Sequence, residues 1–146
     1  MAQRSSDTWP IVSGSYQMTD EWSILLPGQF KRRIEDGSLV FWRDGLTAWI
    51  NVWGNDHAET PQALFDRFRS GFPEGRLDER EATQDGVLKY AYRLKEEAGD
   101  RRVAAFYCFA FGISGVVQMA VYFDDDADLA NAHLLMQGLK ETLPPR

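Results

Sequence analysis

The chain has a single cysteine, Cys108, two histidines, no long apolar run and no excess of positive charge. One cysteine excludes an internal disulfide, and its setting between Tyr107 and Phe109 is that of a buried thiol compatible with a reducing compartment. The longest apolar stretch, residues 103–111, is too short to cross a bilayer and runs into Gly112 and Gly115, so no membrane span is predicted. With 16 Lys and Arg against 22 Asp and Glu, the net charge is −6. That balance argues against a nucleic-acid partner, which requires clustered cations to displace phosphate counterions. The tightest basic run, Lys31-Arg32-Arg33, is followed by Glu35 and Asp36 and reads as a solvated turn. Residues 1–15 lack the apolar segment of a secretory signal, so the expected location is cytoplasmic.

What is present is material for one core: 44% hydrophobic and 13% aromatic residues in a chain of 146. Residues 1–17 carry no periodicity and read as a loose leader onto which Trp9 and Ile11 could dock, leaving 18–146 as one domain. Trp22, Ile24 and Leu26 alternate as a first strand that Pro27-Gly28 is expected to stop. Residues 38–43 and 46–53 flank Asp44-Gly45, a strong hairpin signal whose type I′ turn needs positive φ at both central positions. The implied register puts Leu39, Phe41, Leu46, Ala48, Ile50 and Val52 on one face. Val40, Trp42, Thr47, Trp49, Asn51 and Trp53 fall on the other.

Thr60-Pro61 is a helix start, with Thr as N-cap and Pro at the first position, and Leu64, Phe65, Phe68 and Phe72 follow at helical spacing towards Gly71–Pro73. A meander comes next. A polar edge strand at 76–84 turns at Asp85-Gly86 into 87–96, Ala98-Gly99-Asp100 leads to 102–112, and Gly112-Ile113-Ser114-Gly115 leads to 116–123. Both faces of the last two strands are apolar, so each needs a cover. Asp124-Asp125-Asp126 opens a final helix with Leu129, Ala132, Leu135, Met136, Leu139 and Leu143 as its stripe, ended by Pro144-Pro145. The fold class is α+β: an antiparallel meander with two main helices, in an α/β/α or two-layer sandwich.

Chemical motifs are scarce. His57, beside Asp56, and His133 belong to no metal-ligand spacing, and Asp124–Asp128 lacks the spacing and closing Glu of a calcium loop. Gly112-x-x-Gly115 joins two strands and is no phosphate loop. Asp78 with Glu79, and Glu96 with Glu97, are sequence neighbours that point to opposite strand faces. No catalytic residue, metal ligand or cofactor is therefore assigned, and the purified protein is expected to carry no stoichiometric zinc, calcium or nucleotide. The partner-binding candidates are Trp42, Thr47, Trp49, Asn51 and Trp53, rigid aromatic area mixed with hydrogen-bonding groups. Burial under a helix is the competing explanation for them.

The order of these elements, with the Leu-Pro-x-x-Phe-like segment Leu26, Pro27, Phe30, resembles the PsbP/DcrB-like superfamily over about residues 16–143. That superfamily includes photosystem accessory proteins, a Ran-binding import factor, lipoproteins and chaperones of type VI secretion effectors. The resemblance implies a non-catalytic module that binds another protein, such as a secretion-related chaperone, an adaptor or an immunity-type protein. No lipoprotein cysteine stands near residue 1, and no binding residue of the family can be carried over. The alternative is a small-molecule or enzymatic site between sheet and helix lined by Tyr90, Tyr92, Tyr107 and Tyr122. A homodimer through exposed sheet is compatible with either.

Overall fold

Period-two alternation dominates the chain, and in the computed structural model, which describes residues 9–95 and 103–142, it produces one antiparallel sheet of nine strands with two helices. The strands are β1 (Ile11–Gln17), β2 (Trp22–Glu35), β3 (Ser38–Arg43), β4 (Leu46–Gly54), β5 (Leu77–Gln84), β6 (Val87–Leu94), β7 (Ala105–Phe111), β8 (Gly115–Phe123) and β9 (Leu139–Glu141). Helix α1 spans Pro61–Arg69 and α2 spans Leu129–Gln137, the latter entered by a 3₁₀ turn at Asp126–Asp128. Strand order is β1-β2-β3-β4-β8-β7-β6-β5, and β9 pairs with the beginning of β2.

The hairpin about Asp44-Gly45 has the expected register, with Arg43 opposite Leu46, Phe41 opposite Ala48 and Leu39 opposite Ile50. Its turn is not of type I′, because only Gly45 of the pair has positive φ, at 77°. Two other Asp-Gly pairs meet that requirement: Asp36-Gly37 at 50° and 83°, and Asp85-Gly86 at 52° and 79°. Thr60 caps α1 as its sequence implies, its Oγ1 accepting from the Ala63 N–H at 3.1 Å.

Other expectations are corrected as well. The leader is not loose throughout: Ile11–Gln17 is strand β1, paired with β2 from Ile11–Lys31 to Gln17–Ser23. Pro27-Gly28 does not stop the following strand, because β2 absorbs it as a bulge opposite Val12–Gly14, with Gly28 at φ 102° and the Pro27 carbonyl accepting from Arg43 Nη1 at 2.8 Å. Lys31-Arg32-Arg33 lies inside β2 rather than in a solvated turn, and the turn comes afterwards at Asp36-Gly37. Leu139 belongs to β9 instead of α2: the helix ends at Gln137, and Gly138 presses on Leu25, whose backbone oxygen would sit 2.5 Å from an added Cβ. The predicted turn Ala98-Gly99-Asp100, the pair Glu96 and Glu97, Leu143 and Pro144-Pro145 lie outside the described residues.

The helices lie on opposite faces of the sheet. Helix α2 packs on β2, β7 and β8, and its Ala132, Leu135 and Met136 join Trp22, Phe41, Phe106, Met119 and Val121 in the larger core. Helix α1 packs on β6 and β7, where Leu64 and Phe65 join Tyr90, Phe109 and Phe111 in a second cluster. Val103 packs against the larger core, on the side opposite to the one its alternation suggests. Glu141 ties β9 to the β7–β8 turn by accepting from the backbone N–H of Ser114 at 2.7 Å and of Ile113 at 3.2 Å.

Candidate functional site

Cross-strand pairing carries one row of side chains across the α1-side face: Arg33, Val40, Trp49, Ala120, Tyr107 and Tyr92. The next row contains Lys31, Trp42, Thr47 and Tyr122. Helix α1 covers only one end of this face. There Phe65 sits 5.4 Å from Phe111, and Phe72, just past the helix, stacks on Tyr90 at 5.0 Å with 15° between the rings. Over β2, β3 and β4 the face is open in part: Val40 is buried, Trp42, Thr47, Trp49 and Asn51 are half-buried, and Trp53 is exposed.

The five sequence candidates thus share one face, but not one environment. Trp53 leans towards α1, its ring 6.0 Å from Phe68. Asn51 accepts a hydrogen bond from Ser38 Oγ at 2.8 Å, which fixes its amide across the hairpin. Trp42 and Trp49 are joined by a residue that sequence reading missed: the Arg33 guanidinium lies 4.5 Å from the Trp42 ring centre and 5.7 Å from that of Trp49. Glu35 holds Arg33 from two positions along the strand, at 2.8 Å. Reading 31–33 as a turn hid this arrangement, since only strand alternation puts Arg33 and Glu35 on the tryptophan side. Trp9 adds an edge-on contact to Trp42 at 5.9 Å, and beside Trp42 opens a cleft of about 430 Å³ walled by Ile11, Lys31, Arg43 and Asp44.

The four tyrosines form a continuous row of ring contacts, Tyr90–Tyr92 at 5.8 Å, Tyr92–Tyr107 at 5.4 Å and Tyr107–Tyr122 at 6.3 Å, that runs from beneath α1 onto the open face. Tyr90 and Tyr92 are buried beneath Phe72, whereas Tyr107 and Tyr122 are half-buried on the open face with their hydroxyls 3.2 Å apart. Tyr90 directs its hydroxyl to Glu79 at the β5 bulge, and burial together with that hydrogen bond pushes its pKa up to about 12.

The remaining candidate chemistry resolves into structure. Cys108 is fully buried, and burial pushes its thiol up to about 12, away from nucleophilic use. Asp125 accepts from the Ala127 N–H, Asp126 pairs with Arg93 at 2.7 Å, and Asp128 accepts from Asn131 at 3.1 Å. His57 is exposed; His133 sits edge-on to Phe106 at 4.9 Å, and burial lowers its pKa. Among the described residues no three His, Cys, Asp or Glu side chains converge on a metal position, and no helix is long and apolar enough to cross a membrane.

What the open face can do is adhere and discriminate. Its charge is compensated at Arg33–Glu35, the guanidinium lies against two of its indoles, and it mixes indole, phenol and amide groups, the composition of recognition surfaces. Comparison with known proteins returns no matching family model and no matching curated relative.

Proposed function

We propose that this protein is a non-catalytic binding module whose partner is another protein, seated on the open sheet face around Trp42, Thr47, Trp49 and Asn51. The observation that carries this reading is the pair Trp42 and Trp49, bridged by Arg33 on the sheet face opposite α2 and away from the β6–β7 end where α1 packs. Interfaces are enriched in Trp, Tyr and Arg, and such rings present large area with little rotamer freedom left to lose. The resemblance to the PsbP/DcrB-like superfamily supports the same class of role, an accessory, chaperone, adaptor or immunity-type protein acting in the cytoplasm.

The test is affinity capture from the native cell with wild type and Trp49→Ala side by side, followed by titration of the captured partner and thermal denaturation of both proteins. Truncating an interface anchor costs about 2 kcal/mol or more, which corresponds to roughly 30-fold weaker binding. The expected result is that loss, with a melting temperature within a few degrees of wild type. Undiminished binding, or collapse of the variant's fold, would remove this face as the site.

A further inference from the structure

On the α2 side of the sheet a half-open cleft of about 470 Å³ lies between strands β1 to β4 and the β1–β2 turn, with Thr19 and Arg32 as its polar side chains. Its walls are Tyr16, Met18, Leu39, Ile50 and Val52, with Val52 37% exposed and Ile50 buried. That volume is in the range of small-ligand sites. The one charged residue of the lining is Arg32, whose neighbours Lys31 and Arg33 alternate to the opposite face. Arg32 lies 6.0 Å from the Tyr16 ring centre and forms no ion pair among the described residues. In a chain with six more acidic than basic residues, no carboxylate lines this cavity. A cleft that sets Met18, Leu39, Ile50 and Val52 beside a guanidinium with no carboxylate in the lining is complementary to an apolar group that ends in a carboxylate.

We infer that the cavity walled by Tyr16, Met18, Leu39, Ile50 and Val52 is a binding site for an aliphatic carboxylate, with the chain inside and the carboxylate on Arg32. The site lies on the opposite side of the sheet from the tryptophan face, so it stands or falls independently of the proposed protein partner. Two sources supply this chemistry: a free medium-chain fatty acid, or the C-terminus of a polypeptide ending in an apolar residue.

The experiment is titration of the full chain with hexanoate, octanoate and decanoate below their micelle concentrations, with decanol as the uncharged control, read by amide NMR shifts and calorimetry. Each methylene buried should tighten binding roughly four-fold until the cavity is full. Arg32→Gln should weaken decanoate at least ten-fold and leave decanol unchanged, and Val52→Phe, which occupies the mouth, should weaken both. A pentapeptide ending in Leu, with free or amidated carboxyl, separates the sources: tighter binding of the free-acid peptide than of decanoate marks a polypeptide terminus, the reverse a fatty acid. The inference is overturned if decanol binds as well as decanoate, if Arg32→Gln changes nothing, or if the shifts fall outside the cavity lining.

Discussion

On the α2 side of the sheet, Phe41, Ala48, Cys108, Met119 and Val121 are each at 0% exposure, whereas on the opposite side of the same strands Trp42, Thr47, Trp49 and Asn51 keep contact with solvent. Both faces come from one alternating pattern, so alternation alone does not decide which face is sealed. Cover decides it. Helix α1 has nine residues and is therefore about 13 Å long, enough for at most about three strands spaced some 4.8 Å apart, and it is spent on the β6–β7 end. The sealed face is furnished with aliphatic, small and phenyl side chains, together with Trp22. The open one carries indoles, a phenol pair, amides and a stacked guanidinium, groups that tolerate water on one side.

The sharpest way to break this contrast is to truncate a ring on each side. Phe106, 1% exposed in the α2-side core, should cost roughly 3–5 kcal/mol as Phe106→Ala, since the cavity left behind adds to the lost transfer energy. At about 2–4 °C per kcal/mol for a chain of this size, the midpoint should fall by about 6–20 °C. Trp49→Ala, the larger truncation, should cost far less stability. Equal losses in thermal unfolding of the two variants would mean that the tryptophan face is core after all.

The contrast also explains what was legible in the sequence. The Asp44-Gly45 register, the Thr60-Pro61 cap and the division of β7 and β8 into two apolar faces follow from local rules, and the structure has them. β1 escaped because its inward positions are Val12, Gly14 and Tyr16 and its outward ones include Ser13 and Ser15, a pattern too weak to stand out from a leader. Pro27-Gly28 reads locally as a strand end because the Arg43 guanidinium that hydrogen-bonds to the Pro27 carbonyl at the bulge comes from sixteen residues away. Leu139 continues the helical spacing from Leu135 and Met136, and only the contact of Gly138 with Leu25 turns the chain into β9. The candidate face was readable to the extent that strand alternation was recognised, so Trp42 and Trp49 were found and Arg33 was not. The cavity at Arg32 depends on four strands and a turn meeting, which no local pattern announces.

An intermediate effect is expected where the sealed face contains a charge. Lys89 is 3% exposed and donates to the Met136 carbonyl at 3.0 Å, the Gln137 carbonyl at 3.2 Å and Gln84 Oε1 at 3.3 Å, placing its cation at the C-terminal end of α2. Lys89→Met should cost about 1–3 kcal/mol, because helix carbonyls lose a charged donor while the stem volume is kept. Burial lowers the Lys89 pKa, so the folded protein gives up this proton at lower pH than the unfolded chain, whose lysine titrates near about 10.4. The unfolded state then binds more protons across that interval, and stability contributed at this residue rises with pH there, the charge penalty being complete below the folded pKa. Urea unfolding of wild type and Lys89→Met between neutral pH and about pH 10.5 should show the gap between them widening as pH rises; a constant or narrowing gap would refute it.

The smallest effect belongs to the open face, and it sets how firmly that face is organised before anything binds. Arg33 is held by Glu35 at 2.8 Å and by the faces of Trp42 and Trp49, with its own side chain 24% exposed. A cation over an aromatic ring contributes about 0.5–1 kcal/mol at such sites, and a half-exposed ion pair on the order of 0–1 kcal/mol that salt weakens. Arg33→Gln should therefore lower stability by only about 1 kcal/mol, with less difference from wild type in high salt. It should also change the tryptophan emission, since the plane lying against two indoles is gone. Arg33→Lys restores the charge without the planar stack, so it should recover the salt-sensitive part of the stability and not the emission. A loss of several kcal/mol in Arg33→Gln would place this residue in the core; no change in stability or emission would mean that Trp42 and Trp49 are ordered without it, and that the face owes its rigidity to the β3–β4 hairpin alone.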